Sequence, residues 1–413
     1  MSTKKTPVPV IIGADLNCYN VARAFHEEYG VTSYAFGRYE IGATKASKFI
    51  KFITVPTMDT DETFLEVVNK FYDDNKSDDK VFFILGCTDD YANLIARNAE
   101  KLRPRFVVPY SSMDIMDDFV SKERFYKACD KHGILYPNTK IFYTDSDYSL
   151  TTEENLGFKY PIIVKPANSV TYWKHSFDGM NKVYVADSKE RADEIIKTIF
   201  ASGYDDSIIL QDMIPGDDSR MYVLTAYCGK DAKVKMMCLG HVLLEEHTPK
   251  GRGNHAAIIP EYMPELCEKY KKFLEDIGYI GFANFDIKFD ERDNSYRAFE
   301  INLRQGRSNF YITAAGENIA RYLYEDYVND SLGNMETKYV DTKVLWTYIP
   351  KKVIYKYCAD KKYADQAKAL VKEGKYISSL WYKADLKGNL KRRFYVSAMV
   401  FNHFKKYKKY CKR

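Results

Sequence analysis

No stretch of the 413 residues approaches the roughly 18 consecutive apolar residues that a membrane-crossing helix needs, so no such helix is expected. The start, MSTKKTPVPVIIGAD, carries two lysines, but its apolar run is broken too soon for a signal peptide. Eight cysteines are scattered, with no CxxC pair and no Cys/His cluster at zinc spacing. Reduced core thiols in a cytoplasmic protein are the expectation. The first turn reads GADLNC and lacks the GxGxxG of a dinucleotide fingerprint, which argues against a nicotinamide domain. Internal repeats are absent, and the only low-complexity stretch is the polar insert 73–80. Acidic residues are missing altogether from 391–413, where nine basic ones gather. Taking those nine from the net charge of +5 leaves the first 390 residues at −4. A global nucleic-acid binder would spread its basic residues over the folded body, so nucleic acid is not an expected partner.

What is present is ordinary for a globular protein: 46% hydrophobic and 29% charged residues. At roughly 150 residues per domain the chain should form two or three packed units. Its first part alternates strand and helix signals: strands at 8–12, 31–36 and 81–85, helices at 17–29, 63–72 and 89–101, and 106–109 closing the last repeat. That rhythm predicts a Rossmann-like, doubly wound parallel sheet over 1–118. From Ser121 the pattern turns α+β. A helix starts at SKERFY, and strands follow at 140–143, 161–165, 182–186, 208–211, 221–227, 234–242, 281–289 and 296–301. A Lys/Tyr-rich segment, 331–413, ends in the basic tail.

The chemistry concentrates in FDIKFDERDNSYRAFEINLRQGR. Asp286 lies on one strand, and Glu300, Asn302 and Arg304 fall two apart on another, hence on one face. Two carboxylates and an amide oxygen are hard ligands of the kind magnesium takes when phosphates complete its shell. The bland alternative is a solvated strand pair with salt bridges. It suits Glu300 poorly, because AFEINL is otherwise apolar and a carboxylate there needs a partner. Arg304 and Arg307 are suited to phosphoryl oxygens. Lys122 opens a helix after Ser121, and Lys165 ends the apolar strand PIIVKP; each alone could be structural, but together with the acidic set they suggest phosphate binding. In SIILQDMIPGDDSR a strand runs through Gln211 and Asp212 into a turn, with Ile214 before it and Asp218 beyond. By itself this is only a hairpin.

The order Lys122, Lys165, strand and linker, Asp286, then Glu300-x-Asn302-x-Arg304 resembles the ATP-grasp superfamily of carboxylate–amine ligases over roughly residues 8–330. The resemblance implies a Rossmann-like pre-ATP-grasp domain (1–118), an ATP-grasp small lobe (119–205), a large lobe with the metal site (206–330) and a C-terminal extension (331–413). It implies ATP phosphates on Lys122 and Lys165, adenine along Gln211, Asp212 and Ile214, and ribose on Asp218. Two Mg2+ ions would sit on Asp286, Glu300 and Asn302, with Arg304 catalytic. The glycine-rich phosphate loop of many relatives is replaced by PANSVTYWKHSFDGMNK, in which the Asn168 and Ser169 amides, Trp173 and His175 are candidate lid contacts. The opening VIIGADLNCYNVARAF, the VKPANS stretch, EEHTPKGRGNHA and the long C-terminal segment are similar to the D-aspartate ligase group. That similarity implies an amide bond from D-aspartate to a lysine of a peptidoglycan precursor. Arg252, Arg307 and Lys250 are then candidate substrate anchors.

The reaction so implied needs no nucleophilic triad: a carboxylate attacks the γ-phosphate, and an amine captures the acyl phosphate behind a water-excluding lid. Three other readings stand beside it: a different ATP-grasp amino-acid or dipeptide ligase, a non-catalytic ATP-binding sensor, and a peripheral membrane protein working through its tail. In that tail Val396, Val400, Phe404, Tyr407 and Cys411 recur at helical spacing. Either this stripe packs on the body under a solvated lysine cluster, or residues 391–413 make transient contact with anionic lipid.

Overall fold

Alternating apolar and amphipathic runs at the start of the chain fold into a four-stranded parallel sheet. A computed structural model describes residues 5–249 and 251–411. The strands run Ile50–Thr54, Ser33–Gly37, Thr6–Ile12, Lys80–Gly86 across the sheet. Thr6–Ile12 is central, with Val10 opposite both Tyr34 and Ile84. It is buried along all but its first residue, as a strand flanked on both sides must be. The helix Leu16–Tyr29 follows, capped by Asp15, whose carboxylate accepts from the Cys18 N–H at 3.2 Å. Gly86 ends the fourth strand against the start of the helix Asp89–Arg97; a Cβ there would lie 2.5 Å from the Ala92 nitrogen.

Three details of this first part depart from the expected elements. The helix expected over 89–101 is interrupted at Asn98, between Asp89–Arg97 and Ala99–Leu102. Ile50–Thr54 is an edge strand with one buried residue in five, too weak an apolar signal to be anticipated. Residues 106–109 contribute only a single bridge, Phe83 to Val107.

The chain divides into two compact units, each assembled from separated segments. The first comprises the described residues of 1–116, 217–285 and 302–413; the second comprises 117–216 and 286–301. Besides the parallel sheet, the first unit holds a run of paired strands: Met221–Cys228, Val234–Glu245, His255–Glu261, Leu345–Thr347 and Tyr376–Ser378. Lys338–Val340 pairs with the second of these. The segment beyond 330 therefore supplies three strands. Its last helix, Leu390–Tyr410, buries Val396 and Tyr407 in a core that also contains Ile11, Phe25, Ile258 and Trp346. The apolar stripe read in the tail is this packed face, except that Phe404 is exposed. No helix among the described residues is long and apolar enough to cross a membrane.

The second unit is a four-stranded antiparallel sheet in the order Thr139–Phe142, Ile208–Asp212, Ile162–Pro166, Tyr184–Ala186. Ile162, Val164, Ile208 and Leu210 share a core with Ile195 and Ile199 of the helix Lys189–Ala201. Period-2 alternation then turns Lys165, opposite Ile209, and Gln211, opposite Ile163, to the other face. After leaving this unit at 216, the chain re-enters it within the strand Gly281–Asp290 and leaves it again within Ser295–Asn302.

Candidate active site

On that second face three lysines and one glutamate gather. Lys122 is the first residue of the helix Lys122–His132, and its Nζ lies 3.5 Å from Glu300 Oε2. Lys165 donates to Gln211 Oε1 at 2.9 Å. Gln211 Nε2 in turn donates to the Tyr126 hydroxyl at 2.8 Å and to Thr139 Oγ1 at 2.9 Å. Burial works to raise the Glu300 pKa, but Lys182, Lys122 and Lys165 overcome it and hold the carboxylate at about 2. Lys165 moves the other way: burial, reinforced by Lys122, brings it down to about 7. Three lysines around one carboxylate leave an excess of positive charge, which suits a polyphosphate. Lys182 went unmarked in the sequence, where it merely ends a polar loop.

The other residues expected around the nucleotide are placed as follows. Asp212 sits one residue beyond Gln211, on the opposite side of the strand, where Arg292 grips both its carboxylate oxygens at 3.1 and 2.6 Å. Its contact with a nucleotide would have to come from the backbone. Ile214 is buried, and its carbonyl accepts from Lys288 Nζ at 2.9 Å, as does that of Gly216. In the segment after Lys165, the Asn168 N–H donates to the Tyr204 hydroxyl at 3.2 Å, and Ser169–Tyr172 forms a helical turn. Trp173 is exposed, and His175 packs edge-on to Tyr204.

From Glu300 to Gln305 burial alternates as expected: Glu300, Asn302 and Arg304 are half-buried while Ile301, Leu303 and Gln305 are buried. Asp286 is likewise half-buried. Among the described residues no three His, Cys, Asp or Glu side chains cluster tightly enough to cage a metal alone. Asp286 and Glu300, both in the second unit, are hard carboxylate donors that fit magnesium only where substrate phosphates supply most of its shell.

In the first unit the loop after this strand is held by amides. Asn17 Nδ2 donates to the carbonyls of Cys87 (2.9 Å) and Gln305 (3.0 Å), and Asn20 Nδ2 to that of Arg307 (3.0 Å). Gln305 Nε2 donates to the Gly86 carbonyl at 2.7 Å. Gly306 fits because a Cβ would meet Asn309 Oδ1 at 2.6 Å. Arg304, presented by this loop, forms a two-pronged pair with Asp89 at 2.8 and 3.1 Å. Arg307 lies over the Tyr348 ring with its Nη2 3.9 Å from Glu246. Its Nε is buried and has no hydrogen-bond partner among the described residues. Burial raises the pKa of nearby Asp15 against the pull of Arg307 and Arg304. Asp218 accepts from the Glu245 N–H at 3.0 Å and lies 2.7 Å from His247 Nε2. Arg252 is exposed, and Lys250 lies outside the described residues.

No protein-family model matches the chain. A D-aspartate ligase of Enterococcus faecium (strain Aus0004) is 37% identical over 410 residues, spanning 98% of this chain and 96% of the relative. Among solved structures, an L-amino acid ligase from Bacillus licheniformis matches with a TM-score of 0.55 at 15% identity, covering 81% of this chain and 76% of its own. N5-carboxyaminoimidazole synthetase from Staphylococcus aureus matches at 0.57 and 15%, covering 84% of each chain. The biotin carboxylase domain of Hydrogenobacter thermophilus 2-oxoglutarate carboxylase, solved with MgADP and bicarbonate, matches at 0.58 and 14%, covering 80% and 71%. These three show the ATP-grasp fold, and the full-length identity narrows it: the chain belongs to the D-aspartate ligase family of ATP-grasp, ADP-forming carboxylate–amine ligases.

Proposed function

We propose that this enzyme activates the β-carboxylate of D-aspartate with ATP and joins it to the lysine side chain of a peptidoglycan precursor in the cytoplasm. The observation that carries the nucleotide half is the set Lys122, Lys165 and Lys182 around the ionised Glu300. Lys122 and Lys165 neutralise the triphosphate, Gln211 holds the Lys165 ammonium in place, and the strand end from Asp212 to Ile214 receives the base through its backbone. Asp218 receives the ribose. Asp286, Glu300 and Asn302 would hold two magnesium ions, which would supply Lewis-acid neutralisation of phosphate charge.

The substrate carboxylate attacks the γ-phosphorus of ATP, ADP leaves, and the acyl phosphate that results is opened by an unprotonated amine with release of phosphate. Arg304, oriented by its two-pronged pair with Asp89, stabilises the oxygens of the transferring group. Arg307 supports an acidic donor: it has a buried, unmatched Nε–H, and a second carboxylate on the substrate would satisfy it. Arg252 is the outer anchor. The full-length relationship to a D-aspartate ligase supports the same donor.

The test is phosphate release from Mg·ATP by the purified protein. Release should require both D-aspartate and a lysine-bearing peptide, and Glu300→Gln should fold but lose turnover by at least about a hundredfold. Release with L-amino acids but not with D-aspartate would assign a different donor. ATP binding without turnover under every pair would make the protein a sensor.

A further inference from the structure

The helix Leu390–Tyr410 carries two apolar faces, and only one of them is packed. Val396, His403 and Tyr407 are buried against the body. Roughly opposite, Leu390, Phe394, Phe401 and Phe404 stand exposed at 79%, 70%, 61% and 39%. Their spacings of four, seven and three place them along one line on a helix of 3.6 residues per turn. Single exposed apolar residues need no explanation, but an aligned row of three phenylalanines and a leucine does.

We propose that this outward face is a docking surface for an anionic lipid bilayer, lying in the interface plane with its aromatic side chains inserted among the acyl chains. Charge chooses the occupant. Lys391, Arg393, Lys405, Lys408 and Lys409 are exposed beside the row, and no acidic residue occurs from 391 onward. Lys45, whose Nζ lies 5.8 Å from the Tyr395 ring, extends the basic rim beyond the helix. A second copy of the same helix laid on this face would bring the lysines of both chains together in a low-dielectric seam, which is repulsive. An anionic surface meets the same lysines with the opposite sign, and the phenylalanines with an apolar layer. The row spans 15 positions, about 22 Å of helix. The helix is too polar to cross a membrane, so it would lie along one.

The surface does not depend on the ligase reading, and flotation of the full-length protein with vesicles tests it. Vesicles containing phosphatidylglycerol should carry at least about tenfold more protein than phosphatidylcholine vesicles at ~50 mM salt, with most of it released at ~500 mM. Phe394→Glu with Phe401→Glu should abolish flotation, while ATP turnover or nucleotide binding, whichever the wild type shows, is unchanged. Lys405→Gln with Lys408→Gln gives an independent variant should the first misfold; it should weaken flotation at low salt. Absence of flotation at low salt, or equal flotation with neutral vesicles, overturns the proposal. So does a dimer in light scattering that Phe401→Glu dissolves without any vesicle binding.

Discussion

Lys165, next to last in the strand Ile162–Pro166, holds its ammonium under two opposed demands. Burial favours the neutral amine, and a bound triphosphate favours the cation. With its pKa near 7 in the free protein against a usual 10.5, the folded chain binds fewer protons there than the unfolded chain between those values. This lysine therefore opposes folding in full below about pH 7, and the penalty fades as the pH rises towards 10.5. The same displacement predicts that ATP binding near pH ~8.5 is accompanied by uptake of close to one proton, since phosphates restore the ammonium. Calorimetry in buffers of different ionisation enthalpy measures it, and Lys165→Arg, charged at every pH, should remove the uptake. An unchanged proton count in Lys165→Arg would place the titrating group elsewhere. Glu300 shows why such a residue is partly legible beforehand: a carboxylate inside AFEINL demands partners. Which partners was not legible, because Lys182 lies 118 positions away and nothing in its own neighbourhood marks it.

Within the strands, the two-residue period settles which face a side chain takes. The two-residue repeat placed Glu300, Asn302 and Arg304 on one side, and the structure shows that alternation. The same rule separates Gln211 from Asp212, so two residues expected to work together look to opposite faces of their strand. Loops were opaque. Asn17 and Asn20 look like unremarkable polar residues on a helix, yet their amides fasten the segment that presents Arg304 and Arg307, nearly 290 positions on. Asn17→Ala removes two buried hydrogen bonds, an effect of about 1–3 kcal/mol. If the loop sets the arginines, kcat/KM in the phosphate-release assay should fall about tenfold or more while the melting temperature drops only slightly. A melting shift with unchanged kcat/KM would make the asparagine purely structural.

At the scale of the whole molecule, the C-terminal segment belongs to the first unit. Arg392 and Asp385 form an ion pair at 2.8 Å with both side chains at 0% exposure. Asp385 also accepts from the Tyr19 hydroxyl (3.0 Å), Ser47 Oγ (3.1 Å) and the Lys48 N–H (2.7 Å), and the Arg392 guanidinium lies over the Tyr19 ring. Near the helix's other end, Lys406 reaches Glu246 at 3.0 Å and the Tyr407 hydroxyl reaches the Glu245 carbonyl at 2.6 Å. Arg392→Met leaves the Asp385 charge buried without its cation and should destabilise the protein by about 3–5 kcal/mol in urea unfolding. A loss below ~1 kcal/mol would mean that the tail is held by its apolar contacts alone.

Local and periodic features are written in the chain itself: the parallel strand–helix rhythm, the strand that aligns Glu300 with Asn302, and the lysine near the end of PIIVKP. So is the imbalance of the tail, since charge composition needs no fold to be counted. Which separated segments make each unit, which amides hold the arginine loop, and which face of the last helix is covered all depend on long-range packing. Periodicity states that a helix has an apolar stripe. When two such stripes share one helix, the one that packs is chosen by the shape and partners of a core built from residues hundreds of positions away.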